Sequence, residues 1–314
     1  MTLQQLRYLC EVVRQDFNIS KAADALHVSQ PGLSRQLQLL ERELEVELFV
    51  RNRKRLVRLS PAGSDIHRNA ERTLESARNI KEAAREHAGE DQGALTIATT
   101  HTQARYALPE VIRRFAQRYP QVQLSLRQGT PGDVSELVGS GNADLSIATE
   151  PIDPRSDVVL LPCYQLHRIV LMPARHPLLK SKRLTLEKLA AYPLITYDYA
   201  FIGRSKTVGA FEARGLRPNI VLNAIDADVI KTYVELGLGI AIVPDMAYDR
   251  SRDKPLRAID ARHLFEPNTI HIGMRRNHYL RGYMYAFIEM FAPHLKRAVV
   301  EQAITESVTR RAKV

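Results

Sequence analysis

Ser20-Lys-Ala-Ala-Asp-Ala-Leu-His-Val-Ser-Gln-Pro-Gly-Leu-Ser-Arg35 holds two helix-start signals and an apolar set that both helices can share. Ser20 is a residue type that caps free backbone N–H groups, and the run through Leu26 is rich in alanines small enough to let another helix come close. After His27-Val28, Ser29 offers a second cap. Pro31 then falls in a first turn, where its missing N–H costs little, and the helix continues to about Leu44. Ala22, Ala23, Leu26, Val28, Leu33, Leu37 and Leu40 supply a common core, so the spacing predicts a helix-turn-helix. Gln30, Ser34, Arg35 and Gln38 fall on the face opposite Leu33, Leu37 and Leu40. Amide, hydroxyl and guanidinium groups suit the base edges and phosphates of a major groove, and arginine suits the two acceptors of guanine. A solvated helix face would carry similar residues.

Upstream, Leu3, Leu6, Leu9 and Val13 predict an amphipathic helix over residues 3–15. Downstream, Glu47 to Ser60 reads as two short β-like runs around a basic tip of Arg51, Arg53, Lys54 and Arg55, the pattern of a wing on a phosphate backbone. The formal charge of +10 and pI near 9.7 favour an anionic partner without telling nucleic acid from a membrane surface or an acidic ligand. From Pro61 to about Ala88, Ile66, Ala70, Thr73, Ala77, Ile80 and Ala84 alternate steps of four and three, a heptad seam. Such a narrow stripe is expected to pair with a second copy, with packing on the chain's own body as the alternative. A boundary is expected at Gly89 to Gly93.

From Ala94 onward short β-rich runs alternate with helices: Leu95 to Ala98, Val122 to Arg127, Leu145 to Ala148, Leu194 to Tyr197, Ile220 to Leu222, Ile240 to Val243 and Thr269 to Met274. That alternation predicts an α/β fold with mainly parallel sheets and ligands outside the strands' carboxyl ends. The expected architecture is therefore multidomain. An all-α winged helix-turn-helix domain (1–60) and a long linker helix (61–90) precede an α/β two-lobed effector domain of periplasmic-binding-protein type (91–300), followed by a tail (301–314). Its first lobe would take about 94–163 and 267–295, its second about 164–266. In Ile97 to Pro109, a strand breaks into Thr99, Thr100, His101, Thr102 and Gln103 as a helix begins. Free N–H groups at a helix start favour an anion, and these side chains add donors beyond what a cap needs.

Two cysteines, Cys10 and Cys163, offer neither a disulfide framework nor a metal site, and both are expected to be reduced. No run approaches the ~18 apolar residues of a membrane span, and no signal-peptide core opens the chain, so a cytoplasmic location is expected. An enzyme is one rival reading, given His101 and Arg105 near a cleft. No nucleophile elbow, zinc-protease, phosphate-loop or dinucleotide motif occurs, so neither catalytic residues nor a metal is expected. A two-lobed small-molecule-binding protein without DNA function is the other rival.

Ser20 to Leu26, Val28 to Arg35, Leu40-Glu41, Leu48-Phe49, Arg51 and Leu59-Ser-Pro-Ala-Gly63 together resemble the LysR-type transcriptional regulators. The resemblance implies that Gln30, Pro31, Ser34 and Arg35 approach DNA beside a wing arginine, so the DNA-facing set becomes Ser29, Gln30, Pro31, Ser34, Arg35 and Gln38 with Arg51, Arg53, Lys54 and Arg55. It also implies a homodimer through the linker helix, a homotetramer, and RNA polymerase as a partner. Thr99 to Tyr106, Gln128-Gly-Thr-Pro131, Asn142-Ala-Asp144, Asp226 to Tyr233 and Leu236-Gly-Leu-Gly239 resemble the CysB and Cbl branch, regulators of sulfur assimilation. That branch implies no bound cofactor but an effector such as sulfate, acetylserine, adenosine phosphosulfate or a sulfonate, held by Thr100, Thr102, Gln103 and Thr149. A regulator of a different pathway remains an alternative. Two positions depart from the branch, Ile202 in place of a threonine and Leu166 in place of a tryptophan. Both enlarge apolar surface in the expected cleft and point toward an organic or sulfonated effector.

Overall fold

The computed structural model describes residues 1–314 except 53–54, 89–91, 150–156, 199–201 and 310–314, and omits the side chains at 202–205 and 307–309. The chain divides into two units, Met1–Gly89 with Asn277–Tyr279, and Glu90–Arg276 with Leu280–Val314.

In the first unit, α1 (Leu3–Arg14), α2 (Ile19–Ala25) and α3 (Gln30–Leu44) precede an antiparallel hairpin, β1 (Phe49–Asn52) and β2 (Arg55–Leu59), and the long α4 (Pro61–His87). Thr2 and Gln5 close a capping box at α1. Ser20 is not the cap of α2. Asp16 and Phe17 turn the chain with φ of 50° and 62°, which leaves Asn18 extended ahead of the helix, and its Oδ1 accepts the Lys21 N–H at 3.1 Å. Ser29 does cap α3, its Oγ accepting the Gly32 N–H at 3.3 Å. His27, at φ 52°, makes the tight turn between α2 and α3 without a glycine.

Leu6, Leu9 and Val12 of α1 meet Ala22, Ala23, Leu33, Leu37 and Leu40, with Leu48 and Phe49 closing the core from the wing side. Each leucine fully buried there contributes about 2 kcal/mol. Leu3, by contrast, is exposed, so the buried stripe of α1 starts one turn later than its spacing suggests. The heptad seam of α4 is divided. Its Ile66 and Ala70, with Leu74 from outside the seam, pack into this same core against the chain's own helices, whereas Ala77 is half-buried and Thr73, Ile80 and Ala84 are exposed, Ile80 by 71%. At the junction of wing and α4, a Cβ on Gly63 would lie 1.9 Å from the Leu48 carbonyl oxygen, which already accepts the Ser60 N–H at 2.9 Å.

The second unit is built on two five-stranded sheets. In chain order its elements are β3 (Gly93–Thr99), α5 (Leu108–Arg118), β4 (Val122–Gln128), α6 (Pro131–Gly139), β5 (Leu145–Thr149), β6 (Val158–Leu166), β7 (Arg168–Pro173), α7 (Leu186–Ala190) and β8 (Leu194–Tyr197). They continue through α8 (Ile202–Glu212), β9 (Ile220–Ala224), α9 (Ala227–Glu235), β10 (Ile240–Pro244), β11 (Leu256–Asp260), β12 (Asn268–Arg275), α10 (Gly282–Phe291) and α11 (Arg297–Thr309). The first sheet runs β4-β3-β5-β12-β6 and the second β11-β7-β10-β8-β9. Each forms one lobe with its own core, around Ile97, Phe115, Ile147, Ile272 and Phe287 in the first and Met172, Leu189, Phe211 and Ile240 in the second.

The sheets are mixed, where mainly parallel ones were expected. β3, β4 and β5 are parallel, as are β8, β9 and β10, but β12 runs antiparallel to β5 and β6, and β7 antiparallel to β10 and β11. The antiparallel strands are the ones that carry the chain between lobes. β6 passes into β7 through His167 alone, and β11 returns to β12 through residues 261–267. The first crossover thus lies beyond Leu166, a few residues after the expected boundary at Cys163. β6 escapes a sequence reading because Pro162 interrupts it, a residue tolerated here on an edge strand at the bulge opposite Ile270 and His271. The expected tail is largely helix: α11 reaches Thr309, with Val300, Ala303 and Ile304 against the first-lobe core.

Cys10 is buried and Cys163 partly so, and burial pushes both thiols up to about 12. No disulfide joins them. Among the described residues no group of acidic, histidine or cysteine side chains is placed to hold a metal, and no helix is long and apolar enough to cross a membrane.

Candidate functional site

Two sites stand out, one in each unit. In the first, burial of Leu33, Leu37 and Leu40 turns the opposite face of α3 outward. Gln30, Pro31, Arg35 and Gln38 are exposed and Ser34 is half-buried beside them. Gln30 Nε2 donates to Ser34 Oγ at 3.2 Å, so the two polar groups share one presentation. Arg35 makes no side-chain hydrogen bond or ion pair among the described residues, which leaves its guanidinium whole for an outside partner. Ser29 is engaged as the cap. Arg51 also has a partner within the chain. Its Nη2 lies 2.8 Å from Glu41 Oε2, and Glu41 Oε1 accepts the Leu48 N–H at 3.0 Å, so this pair straps the wing to α3. Arg55 is exposed at the start of β2; Arg53 and Lys54 lie outside the described residues.

In the second unit, Thr100, Thr102, Gln103, Thr149, Leu166, Arg168, Tyr197, Pro244 and Ile270 line a cleft of about 390 Å³, its open mouth included. Both lobes contribute. Thr149, Tyr197 and Pro244 sit at the carboxyl ends of β5, β8 and β10, and Thr100 directly follows β3, so two parallel strands of each sheet end here. The helix after β3 makes its first intrahelical bond from the Ala104 N–H to the Thr100 carbonyl at 3.0 Å and then widens into a π-turn over Gln103–Ala107 before α5. Such turns recur where a helix must aim side chains at a ligand.

Gln103 is fully buried, and its Oε1 accepts from the Tyr164 hydroxyl, an arrangement that turns the amide Nε2 into the available donor. Burial pushes the Tyr164 hydroxyl well up, so it stays a neutral donor. Thr102 Oγ1 lies 3.5 Å from the Tyr197 hydroxyl across the cleft. Burial likewise raises Tyr197, against the opposing pull of Thr102 and Arg168. Thr99 does not join the site: its hydroxyl donates to the Ile147 carbonyl at 2.7 Å between β3 and β5. His101 is half-buried next to the cleft without lining it. The side chain of Ile202 lies outside the described residues, whereas Leu166 forms part of the wall.

Arg168, Tyr197, Pro244 and Ile270 were not anticipated. Tyr197 was within reach, since it ends a recognisable strand on the side where ligands bind. Arg168 carried a fainter signal, a charge heading the otherwise apolar run Ile169 to Met172. It is buried, and burial pulls its guanidinium down, against the opposing influence of Tyr197 and Asp245; as an arginine it nonetheless stays charged.

Just past the π-turn side of the cleft the lobes are latched. Asp228 on α9 accepts from Arg105 Nε at 3.1 Å and the Tyr106 hydroxyl at 2.6 Å, and lies 3.1 Å from Lys231 Nζ, which also reaches Asp253 at 3.2 Å. Burial pushes the Asp228 carboxyl up, but the bonds from Tyr106, Lys231 and Arg105 together hold it below its ordinary value. A depressed carboxyl stabilises the fold above its unfolded value and loses that contribution as pH falls through the folded one. Asp228→Asn is therefore expected to lower the unfolding free energy of this unit at pH 7 by about 1 kcal/mol or less, given the partial exposure. The gap from the parent protein should close below about pH 4 in denaturant titrations.

Residues 3–64 match the bacterial regulatory helix-turn-helix domain of the lysR family, and residues 88–296 match the LysR substrate binding domain. The chain is 50% identical to the HTH-type transcriptional regulator SsuR of Burkholderia cenocepacia over 98% of its own length and 100% of that protein's. It is likewise 50% identical to CysB of the same organism, over 97% of each chain. Among solved structures, the cofactor-binding domain of the Cbl regulator is 43% identical with a TM-score of 0.65, covering 68% of this chain and 94% of that one. Full-length CbnR complexed with its target DNA is 25% identical with a TM-score of 0.58, covering 94% of this chain and 100% of that one. The outward face of α3, the wing strapped behind it and the two-lobed cleft are thus the parts of one known design, and the chain belongs to the LysR family of DNA-binding transcriptional regulators.

Proposed function

We propose that this regulator controls genes of sulfur assimilation, cysteine biosynthesis or sulfonate and sulfate-ester use, in response to a small anionic sulfur metabolite bound between its lobes. The observation that carries the reading is the cleft. Three threonine hydroxyls, an oriented amide and a buried arginine converge where parallel strands of both lobes end, in a chain that also presents a DNA-reading helix. The near full-length likeness to SsuR and CysB supports the pathway. The protein acts as a homodimer through the exposed part of the α4 seam around Ile80, assembles further into a tetramer, and works with RNA polymerase. Ligand occupancy biases the lobe arrangement and with it the spacing of the DNA heads.

Fluorescence anisotropy tests both halves of this reading, using a site selected from a random DNA pool at two salt concentrations, with and without sulfate, acetylserine, adenosine phosphosulfate and alkanesulfonates. Specific binding that steepens as salt falls and shifts with one of these anions is the expected result. Equal affinity for selected and random DNA would remove the reading. Thr100→Ala and Thr102→Ala should each keep DNA binding and weaken the effective anion about tenfold, the loss of one hydrogen bond to a charged group. An unchanged response in both variants would move the effector elsewhere.

A further inference from the structure

Arg168 opens β7 immediately after the His167 crossover, lines the cleft, and is only 5% exposed. Its Nη2 donates to Asn268 Oδ1 at 2.7 Å, and Asn268 opens β12 at the return crossover. That bond ties the two crossovers together, but a neutral amide cannot balance a buried guanidinium. Asp245, the acidic group whose field reaches Arg168, is engaged elsewhere: Oδ1 accepts the Met246 N–H at 2.9 Å and Oδ2 lies 3.6 Å from Arg262. Among the described residues Arg168 forms no ion pair, and no carboxylate lines the cleft. A buried charge left without a counter-charge is a heavy structural penalty, and an arginine cannot escape it by losing its proton.

We infer that Arg168 is the specificity-determining counter-charge of the cleft, and that the ligand is an organic anion with one charged head and an apolar remainder. This deepens the effector reading above and rests on it. The head meets Arg168, the threonine hydroxyls and the Gln103 amide. Leu166, Ile270 and Pro244 offer the rest of the ligand no hydrogen-bond donor from their side chains. A sulfonate, whose oxygens lie on one face and whose carbon chain leaves by the other, matches that split. Sulfate, with oxygens on every side, would leave some of them unpaired against the apolar wall.

Isothermal titration of the full-length protein with butane-1-sulfonate, sulfate and the uncharged butyl methyl sulfone tests this, on the parent, Arg168→Met and Asn268→Asp. The parent should bind the sulfonate at least tenfold more tightly than the sulfone. Arg168→Met should lose about a hundredfold for the sulfonate and nothing for the sulfone, as expected when one partner of a buried charge pair is removed. Asn268→Asp gives Arg168 an internal carboxylate while keeping the tie between crossovers; it should weaken the sulfonate about tenfold, and it stands as the test should Arg168→Met fail to fold. A purely structural Arg168 predicts the opposite, an Asn268→Asp protein that binds as well as the parent. Sulfonate affinity within threefold of the parent in either variant, with Thr100→Ala still defective, would overturn the role of Arg168 and leave the cleft as the effector site. Sulfate binding more tightly than the sulfonate would overturn the ligand class. Binding of none of the three probes by the parent would overturn the inference and the effector reading together.

Discussion

Gly63→Ala is expected to destabilise the DNA-reading unit by about 3 kcal/mol or more, beyond the usual range for an overpacked side chain because the obstruction is backbone. The added methyl would sit 1.9 Å from the Leu48 carbonyl oxygen. That carbonyl cannot swing aside cheaply. It accepts the Ser60 N–H, while Ser60 Oγ donates to the Glu47 carbonyl and accepts the Gly63 N–H at 2.8 Å, so wing and α4 are locked at one corner. Thermal melts followed by circular dichroism should show an early transition accompanied by loss of DNA binding, with effector titrations of the second unit unchanged. Gly209→Ala is the control. Apart from its chain neighbours and its own helix backbone, no atom lies within 4 Å of a Cβ built there in α8, so alanine should be neutral or stabilising by about 0.5–1 kcal/mol. Equal behaviour of the two variants would show that the corner relaxes, and the close approach would then carry no energetic weight.

Arg35→Ala is expected to weaken binding to a selected DNA site by about 1–3 kcal/mol and to leave random DNA nearly untouched. The argument is geometric. α3 buries Leu33, Leu37 and Leu40 and thereby fixes which face looks outward, and on that face the Arg35 guanidinium has no internal partner among the described residues. Arg55→Ala, on the wing, should instead lower affinity on every sequence and flatten the salt slope by about one unit, as the loss of one phosphate contact does. Anisotropy titrations on both DNAs at several salt concentrations separate the two. A loss from Arg35→Ala that is the same on both DNAs would make it a phosphate contact. Arg51 is expected to follow neither pattern cleanly, because Glu41 holds it as a strap.

The features legible in the sequence are those set by neighbours along the chain. Ser29 with Pro31 starts α3 because a hydroxyl cap and a proline in the first turn act within a few residues, and the leucine spacing of α3 decides which side faces the core. The strand-to-helix switch at Thr99 to Gln103 placed three cleft residues, Thr100, Thr102 and Gln103, for the same reason. Where an equally good local signal lay two residues away, as with Asn18 against Ser20, the backbone turn at Asp16 and Phe17 decided between them.

Tertiary structure alone decided what depends on partners far along the chain. Thr99 and Thr100 are adjacent and chemically alike, yet a bond to Ile147 takes the first out of the cleft. Ile66 and Ala70 of the α4 seam face the chain's own core because α1 lies against that part of the helix. Arg51 is tied by Glu41, and Arg168 enters the cleft because two crossovers, at His167 and at residues 261–267, bring β7 and β12 together. The helix α3 was therefore determined by its own residues, since periodicity and capping are local. The chemistry of the cleft was determined by the fold, since a buried charge takes its meaning from the groups that packing sets around it.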